Sequence, residues 1–271
     1  MGYTLMTALR RLSLRISTVL CVAMMCQFLC LFPSCTSTVE APEIDYGHAY
    51  FPLAIGRSWT YEVDSLLFKF TGSMLRRDSI HIQAREVVTD FWLDGQGDSL
   101  FIIERYERPD STQAWTFKKV FSASRTARLA FRTEENLRLI KLSFPLQRNT
   151  TWESTRFIDP SLRITILGET IQMFKGWKSE IVNLDTTFTH DFLNMEDVIL
   201  VSHADTENLI ERRLVREMYA QNVGLVFSQQ FILDTQCRAC CNGDFTSCGN
   251  TPWETKAEKG FLCTQRLIGW E

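Results

Sequence analysis

Cysteines and histidines carry most of the chemistry open to this chain. Cys237, Cys240, Cys241, Cys248 and Cys263 crowd into one late stretch, residues 237–263, which contains Gly and Asn. In an oxidising compartment such neighbours form disulfides, which restrict the unfolded chain, and all five are disulfide candidates. Two other readings stay open. Four thiolates could hold zinc, although Cys237-x-x-Cys240 followed by Cys248 and Cys263 is not a strong zinc spacing. Cys237-Arg238-Ala239-Cys240 could exchange electrons, but that chemistry needs a helix start beside a βαβ unit, which the surrounding pattern lacks. Five is an odd number, and adjacent Cys240 and Cys241 make poor partners for each other, so a thiol is left over.

The histidines are His48, His81, His190 and His203. His81 and His203 fall in alternating stretches, where a structural role is expected. His190-Asp191, with Glu196 and Asp197 nearby, could hold a divalent cation or centre a hydrolytic site, but acidic loops are commonly just solvated. No nucleophile elbow, zinc-binding His-Glu-x-x-His, phosphate loop or dinucleotide glycine fingerprint occurs. The expectation is therefore no catalytic residue, no metal and no cofactor.

A different chemistry is written at the start. Arg10, Arg11 and Arg15 precede an uncharged stretch from Ile16 to Ser34, which ends in Leu31-Phe32-Pro33-Ser34-Cys35 before a polar run. Residues 1–34 read as a secretory signal. The ending resembles a bacterial lipobox, in which the cysteine is alkylated by lipid and becomes the mature N-terminus. Phe32 and Pro33 are less usual in it than Leu and a small residue. Cys21, Cys26 and Cys30 lie inside the signal and would leave with it. A signal anchor is the alternative, since the uncharged stretch could just span a bilayer. Three of the 29 basic residues and none of the 32 acidic ones precede Thr36, so the remainder carries a net charge of about −6 and no basic run, which argues against nucleic acid.

The elements that must position these residues are strands. Residues 35–50 are polar and aperiodic and read as the lipidated cysteine with its tether; a single β-rich domain is expected over 51–271. Trp59, Tyr61 and Val63 alternate with Thr60, Glu62 and Asp64, as on a half-buried pleat. Further strands are expected at 79–88, 99–106, 114–121, 125–132, 137–144, 178–188, 198–203, 225–233 and 261–268. Between them stand turn signals such as Pro109-Asp110-Ser111 and Asn222-Val223-Gly224. Ile210, Leu214 and Met218 fit a helix face and a period of two alike, and are read as strand. The fold class is mainly β: a curved antiparallel sheet, half-barrel or sandwich, with few helices.

One motif echoes itself. Phe51-Pro52-Leu53-x-x-Gly56-x-x-Trp59 returns 93 residues later as Phe144-Pro145-Leu146-x-x-Asn149-x-x-Trp152. Gly and Asn both tolerate positive φ, so each copy reads as a turn feeding a strand that opens on a packed Trp. The 19 Phe and 7 Trp could line a cavity for an apolar ligand or fill a core, and Trp92, Trp115 and Trp177 could stack on carbohydrate.

The run from Tyr50 to Ser65, Tyr-Phe-Pro-Leu-Ala-Ile-Gly-Arg-Ser-Trp-Thr-Tyr-Glu-Val-Asp-Ser, resembles the start of a large group of uncharacterised Bacteroidota lipoproteins. Glu217 to Phe227, with Tyr219-Ala220-x-x-Val223-Gly224-Leu225-Val226, is similar to a segment near their C-terminal ends. The resemblance implies a cell-envelope lipoprotein with an antiparallel β domain like the half-barrels of lipoprotein carriers; the expected location is the outer membrane, on its periplasmic or its surface face. It brings no enzymatic residues. The expected function is a lipid-anchored, non-enzymatic binding or structural module for an apolar ligand or partner protein; an envelope hydrolase or a thiol-redox or metal-binding protein is the alternative. The cysteine-rich insertion departs from the pattern.

Overall fold

In the computed structural model the described residues are 45–71, 74–93, 95, 97 and 99–271. The expected signal, Cys35 and most of the tether lie outside them. The strands are β1 (Ser58–Thr71), β2 (Met74–Leu93), β3 (Ser99–Arg108), β4 (Thr116–Arg125), β5 (Leu129–Glu134), β6 (Leu137–Ser143), β7 (Thr151–Trp152), β8 (Ile164–Ile166), β9 (Glu169–Ile171), β10 (Ser179–His190), β11 (Leu193–Glu207), β12 (Glu211–Ala220), β13 (Gly224–Asp234) and β14 (Lys259–Trp270). Three one-turn helices, α1 (Arg238–Cys241), α2 (Phe245–Cys248) and α3 (Trp253–Lys256), separate the last two strands. Twelve strands make one antiparallel sheet in the order β6-β5-β4-β3-β2-β1-β14-β13-β12-β11-β10-β7, and β8 pairs with β9. The sheet curls into a nearly closed barrel. Its edges meet where the Ile140 N–H donates to Ser154 O at 2.9 Å and Trp152 Nε1–H donates to Ile140 O at 3.0 Å.

Strand alternation decides what faces inward. Trp59, Tyr61 and Val63 are buried, and their partners across the β1–β2 ladder are Glu86, Ala84 and Ile82. The ambiguous segment is strand β12, which turns Arg213, Val215, Glu217 and Tyr219 to the interior. Two β-bulges break the alternation. The register slips between Ser202 and Ala204 in β11, and between Ile140 and Leu142 in β6. A bulge adds a residue and re-aims its side chain. Here His203 and Lys141 become buried, beside buried Ala204 and between buried Ile140 and Leu142 respectively.

Both ends of the barrel are filled. At one, the incoming chain packs earlier than Phe51: a 3-10 turn at His48–Tyr50 docks through Asn222 N–H to Ala49 O, 2.8 Å, and Leu146 N–H to Tyr46 O, 3.2 Å. The last residues of the expected tether thus belong to the domain. Both copies of the echoed motif behave alike, with Gly56 at φ 87° and Asn149 at φ 65°. Their Trp residues donate to backbone carbonyls, Trp59 to Val223 O at 2.6 Å and Trp152 to Ile140 O at 3.0 Å. At the other end, the excursion between β7 and β10 carries Ile158, Ile171 and Phe174 against Val215 and Ile232, while Trp253 and Ala257 pack on Phe68 and Leu233.

Gly260 is required in this second end. Its φ is +103°, and a Cβ there would sit 1.9 Å from Ile232 O. Gly260→Ala is expected to destabilise the domain by more than about 1 kcal/mol. An unchanged urea midpoint would contradict that.

Candidate functional site

The interior holds charge as well as hydrocarbon. Glu86 on β2 accepts hydrogen bonds from Arg132 Nη1 and Nη2 at 2.8 and 2.9 Å, and from Arg105 Nη1 at 3.1 Å. Arg105 also reaches Glu107 at 2.9 Å and Gln265 at 3.3 Å, and Arg132 reaches Glu134 at 2.6 Å. Burial pushes the Glu86 carboxyl up, but the two guanidiniums outweigh it and hold it at about 2. The β2–β3 register sets Glu86 opposite Arg105, and the β4–β5 register sets Arg132 opposite inward-facing Ala123.

A second cluster centres on Glu217. It accepts from Lys141 Nζ at 2.5 Å, Tyr219 Oη at 2.6 Å and His203 Nε2 at 2.9 Å. His203 Nδ1 lies 2.8 Å from Ser179 Oγ. Burial holds the His203 imidazole below its ordinary value against the pull of Glu217, so the neutral ring is favoured. With Nε2–H donated to Glu217, Nδ1 is left to accept the Ser179 hydroxyl; this tautomer is assigned from the bonding pattern. Burial raises the Glu217 carboxyl too, yet Lys141 and His203 bring it well below the usual carboxylate range.

Ser179, His203 and Glu217 thus stand in the order of a hydrolytic triad. Ser179 is 0% exposed, so its hydroxyl is covered by protein in this conformation. A surface cleft of ≈ 400 Å³ lies nearby, lined by Trp152, Glu153, Trp177 and Lys178. Trp177 stacks on the His203 ring at 6.0 Å and Trp152 meets it edge-on at 6.2 Å. The array is a buried hydrogen-bond network that ties β6, β10, β11 and β12 together.

The other candidate residues are dispersed. His190 lies 3.3 Å from Glu62 and 3.8 Å from Asp191. Glu62 points away from inward-facing Tyr61, so the β10–β11 hairpin tip lies across the outside of the barrel. His81 pairs with Asp64 at 2.7 Å on that same outer face. Trp92 is exposed at the β2–β3 tip, Trp115 stacks beneath Arg108, and Trp177 is buried; they form no common platform. Cys237 and Cys248 form a disulfide, while Cys240, Cys241 and Cys263 are free. Cys263 sits within β14 opposite Ser65 and Gln230, outside the cysteine loop. Among the described residues, the only group of three or more His, Cys, Asp or Glu side chains close enough to share a cation is Cys237, Cys240 and Cys248.

The two segments that carried the resemblance meet in space. Tyr61 Oη donates to Leu225 O at 3.1 Å and Arg57 Nη1 to Asn222 O at 2.5 Å. Gly224, at φ 98°, lets Pro52 approach so closely that a Cβ would lie 3.3 Å from its Cδ.

No protein-family model matches the chain, and no curated protein does. Two solved structures are similar at 10% identity, each covering 82% of this chain and 98% of its own. One is a protein assigned as exported, with a YmcC-like fold, from Bacteroides fragilis, at a TM-score of 0.40. The other is a protein assigned as a lipoprotein from Parabacteroides distasonis, at 0.36.

Proposed function

We propose that this chain is a cell-envelope lipoprotein, anchored in the outer membrane through acylated Cys35, whose barrel domain is a non-enzymatic binding or structural module for a partner protein. The lipobox-like end of an export signal supports the anchor. Several acyl chains hold a protein at a membrane far more firmly than one. The observation that carries the partner reading over an apolar ligand is the filled interior. A half-open cavity at its mouth among the described residues, lined by Phe51, Trp59, Tyr61, Ile103 and Arg132, has a volume of ≈ 40 Å³. That admits a water or two, whereas a cavity near 150 Å³ is what holds a single benzene ring.

Intact-mass spectrometry of the protein extracted from its native envelope tests the anchor. An N-terminus at acylated Cys35 is expected, and Cys35→Ser should move the protein from the membrane to the soluble fraction. Retention of residues 1–34 would sink the anchor. Stoichiometric lipid in an organic extract of the purified domain would overturn the partner reading.

A further inference from the structure

Three sulfurs converge in the loop between β13 and β14, and a fourth lies beside one of them. Beside the Cys237–Cys248 disulfide, Cys240 Sγ lies 3.3 Å from Cys248 Sγ and 2.9 Å from Cys241 Sγ. The ligand atoms of Cys237, Cys240 and Cys248 fall within 4.8 Å of one another. Four thiolates around zinc, with Zn–S near 2.3 Å, stand about 3.8 Å apart along each tetrahedral edge. The Cys237, Cys240 and Cys248 sulfurs therefore already lie within a volume of that size, and Cys241 Sγ adjoins it through Cys240. A second disulfide explains the convergence poorly, because Cys240 and Cys241 are adjacent in sequence.

The backbone holds the sulfurs in place. Cys237 O accepts the N–H groups of Cys241 and Gly243 at 3.1 and 2.9 Å. Buried Glu258 accepts those of Gln236 and Ala239 at 3.0 and 2.8 Å, and Asp244 caps α2 through Thr246 N–H at 2.9 Å. Cys237 and Asn242, on either side of α1, take left-handed conformations at φ 57° and 51°, which curl the loop onto its own sulfurs. Second-layer hydrogen bonds of this kind orient metal ligands. Cys240 and Cys241 are half-exposed, and a cleft of ≈ 370 Å³ lined by Asp234, Gln236, Arg238 and Glu258 adjoins the loop.

We infer that the reduced loop binds one zinc ion through Cys237, Cys240 and Cys248, with Cys241 turning in from beside Cys240 as the fourth ligand, and that metal occupancy and the Cys237–Cys248 disulfide are mutually exclusive states. A thiol reductant delivers two electrons and two protons to the disulfide and is itself oxidised, leaving four thiols. Zinc then binds as the thiols ionise, releasing up to four protons. Cys263 takes no part.

The test uses the full chain, reduced and kept anaerobic, with reduction verified by mass. Co²⁺ is added as a spectroscopic probe and then displaced by Zn²⁺. One equivalent of Co²⁺ with the visible bands of a tetrahedral thiolate site is expected, lost on zinc addition or on reoxidation. Cys263→Ser should bind as the parent does, and Cys240→Ser should bind at least about tenfold more weakly. No tetrahedral spectrum from the fully reduced parent would overturn the proposal, as would unchanged stoichiometry after all four loop cysteines are replaced by Ser.

Discussion

Glu86→Ala is expected to remove about 3 kcal/mol of folding stability, because it leaves two largely buried guanidiniums without the carboxylate that lies between them. Glu86 is 1% exposed and bonds both Arg105 and Arg132. Glu107 and Glu134 remain, but each bonds only an Nε and cannot replace the bidentate contact. The same reasoning separates the worth of the cluster from the cost of breaking it. Replacing Glu86, Arg105 and Arg132 together by Met should cost less than the single change, since it removes the desolvated charges along with their attraction. Urea unfolding of the three proteins measures both effects. A Glu86→Ala midpoint within error of the parent would show that water reaches this part of the barrel.

His203→Gln is expected to abolish the upper part of the domain's acid lability. The folded-state pKa of His203 lies below its ordinary value, with burial as the main cause. Below about pH 6.5 the unfolded state therefore binds a proton that the folded state refuses, and stability falls as pH falls, by about 1.4 kcal/mol per pH unit at most. Glu86 and Glu217 act lower. Their folded pKa values are depressed, so their contribution is full above the ordinary carboxylate range and is lost as pH falls from there, for Glu86 through about 2. Gln at position 203 can donate to Glu217 and accept from Ser179 without titrating. Stability measured against pH should show two declining limbs in the parent and only the lower one in the variant. If the variant keeps the upper limb, His203 is not the group that refuses the proton.

Alternation made most strands legible in the sequence. Trp59, Tyr61 and Val63, and the run through Arg213 and Tyr219, follow period two and lie where that period puts them. It failed at the bulges, since nothing local marks His203 or Lys141 as the extra residue of its strand. For the same reason the Ser179–His203–Glu217 network went unseen, as its members meet only once β10, β11 and β12 are aligned. Glu217 carried a signal: it stands on the inward period between Val215 and Tyr219, where an unpaired carboxylate would be intolerable. Strands β8 and β9 are too short for any periodicity to show. In the cysteine loop, proximity in sequence foretold proximity in space for four residues. Cys263 obeys its strand instead, where its thiol lies between two ladders.

The position of β14 has a consequence for how the chain is made. Its residues come near the end of the sequence, yet it lies in the middle of the sheet between β1 and β13. Its partners in β1 are some 200 residues upstream, as in the pairing of Trp59 with Trp270. Until residues 259–270 emerge, a chain built from its N-terminus carries two finished half-sheets with bare, unpaired edges, the arrangement most prone to stick to a neighbour. Joining the halves is a single late event between distant parts of the chain, and such events are slow. Newly made molecules therefore pass through a vulnerable interval, and shielding of the β1 and β13 edges during it would decide how many of them reach the barrel.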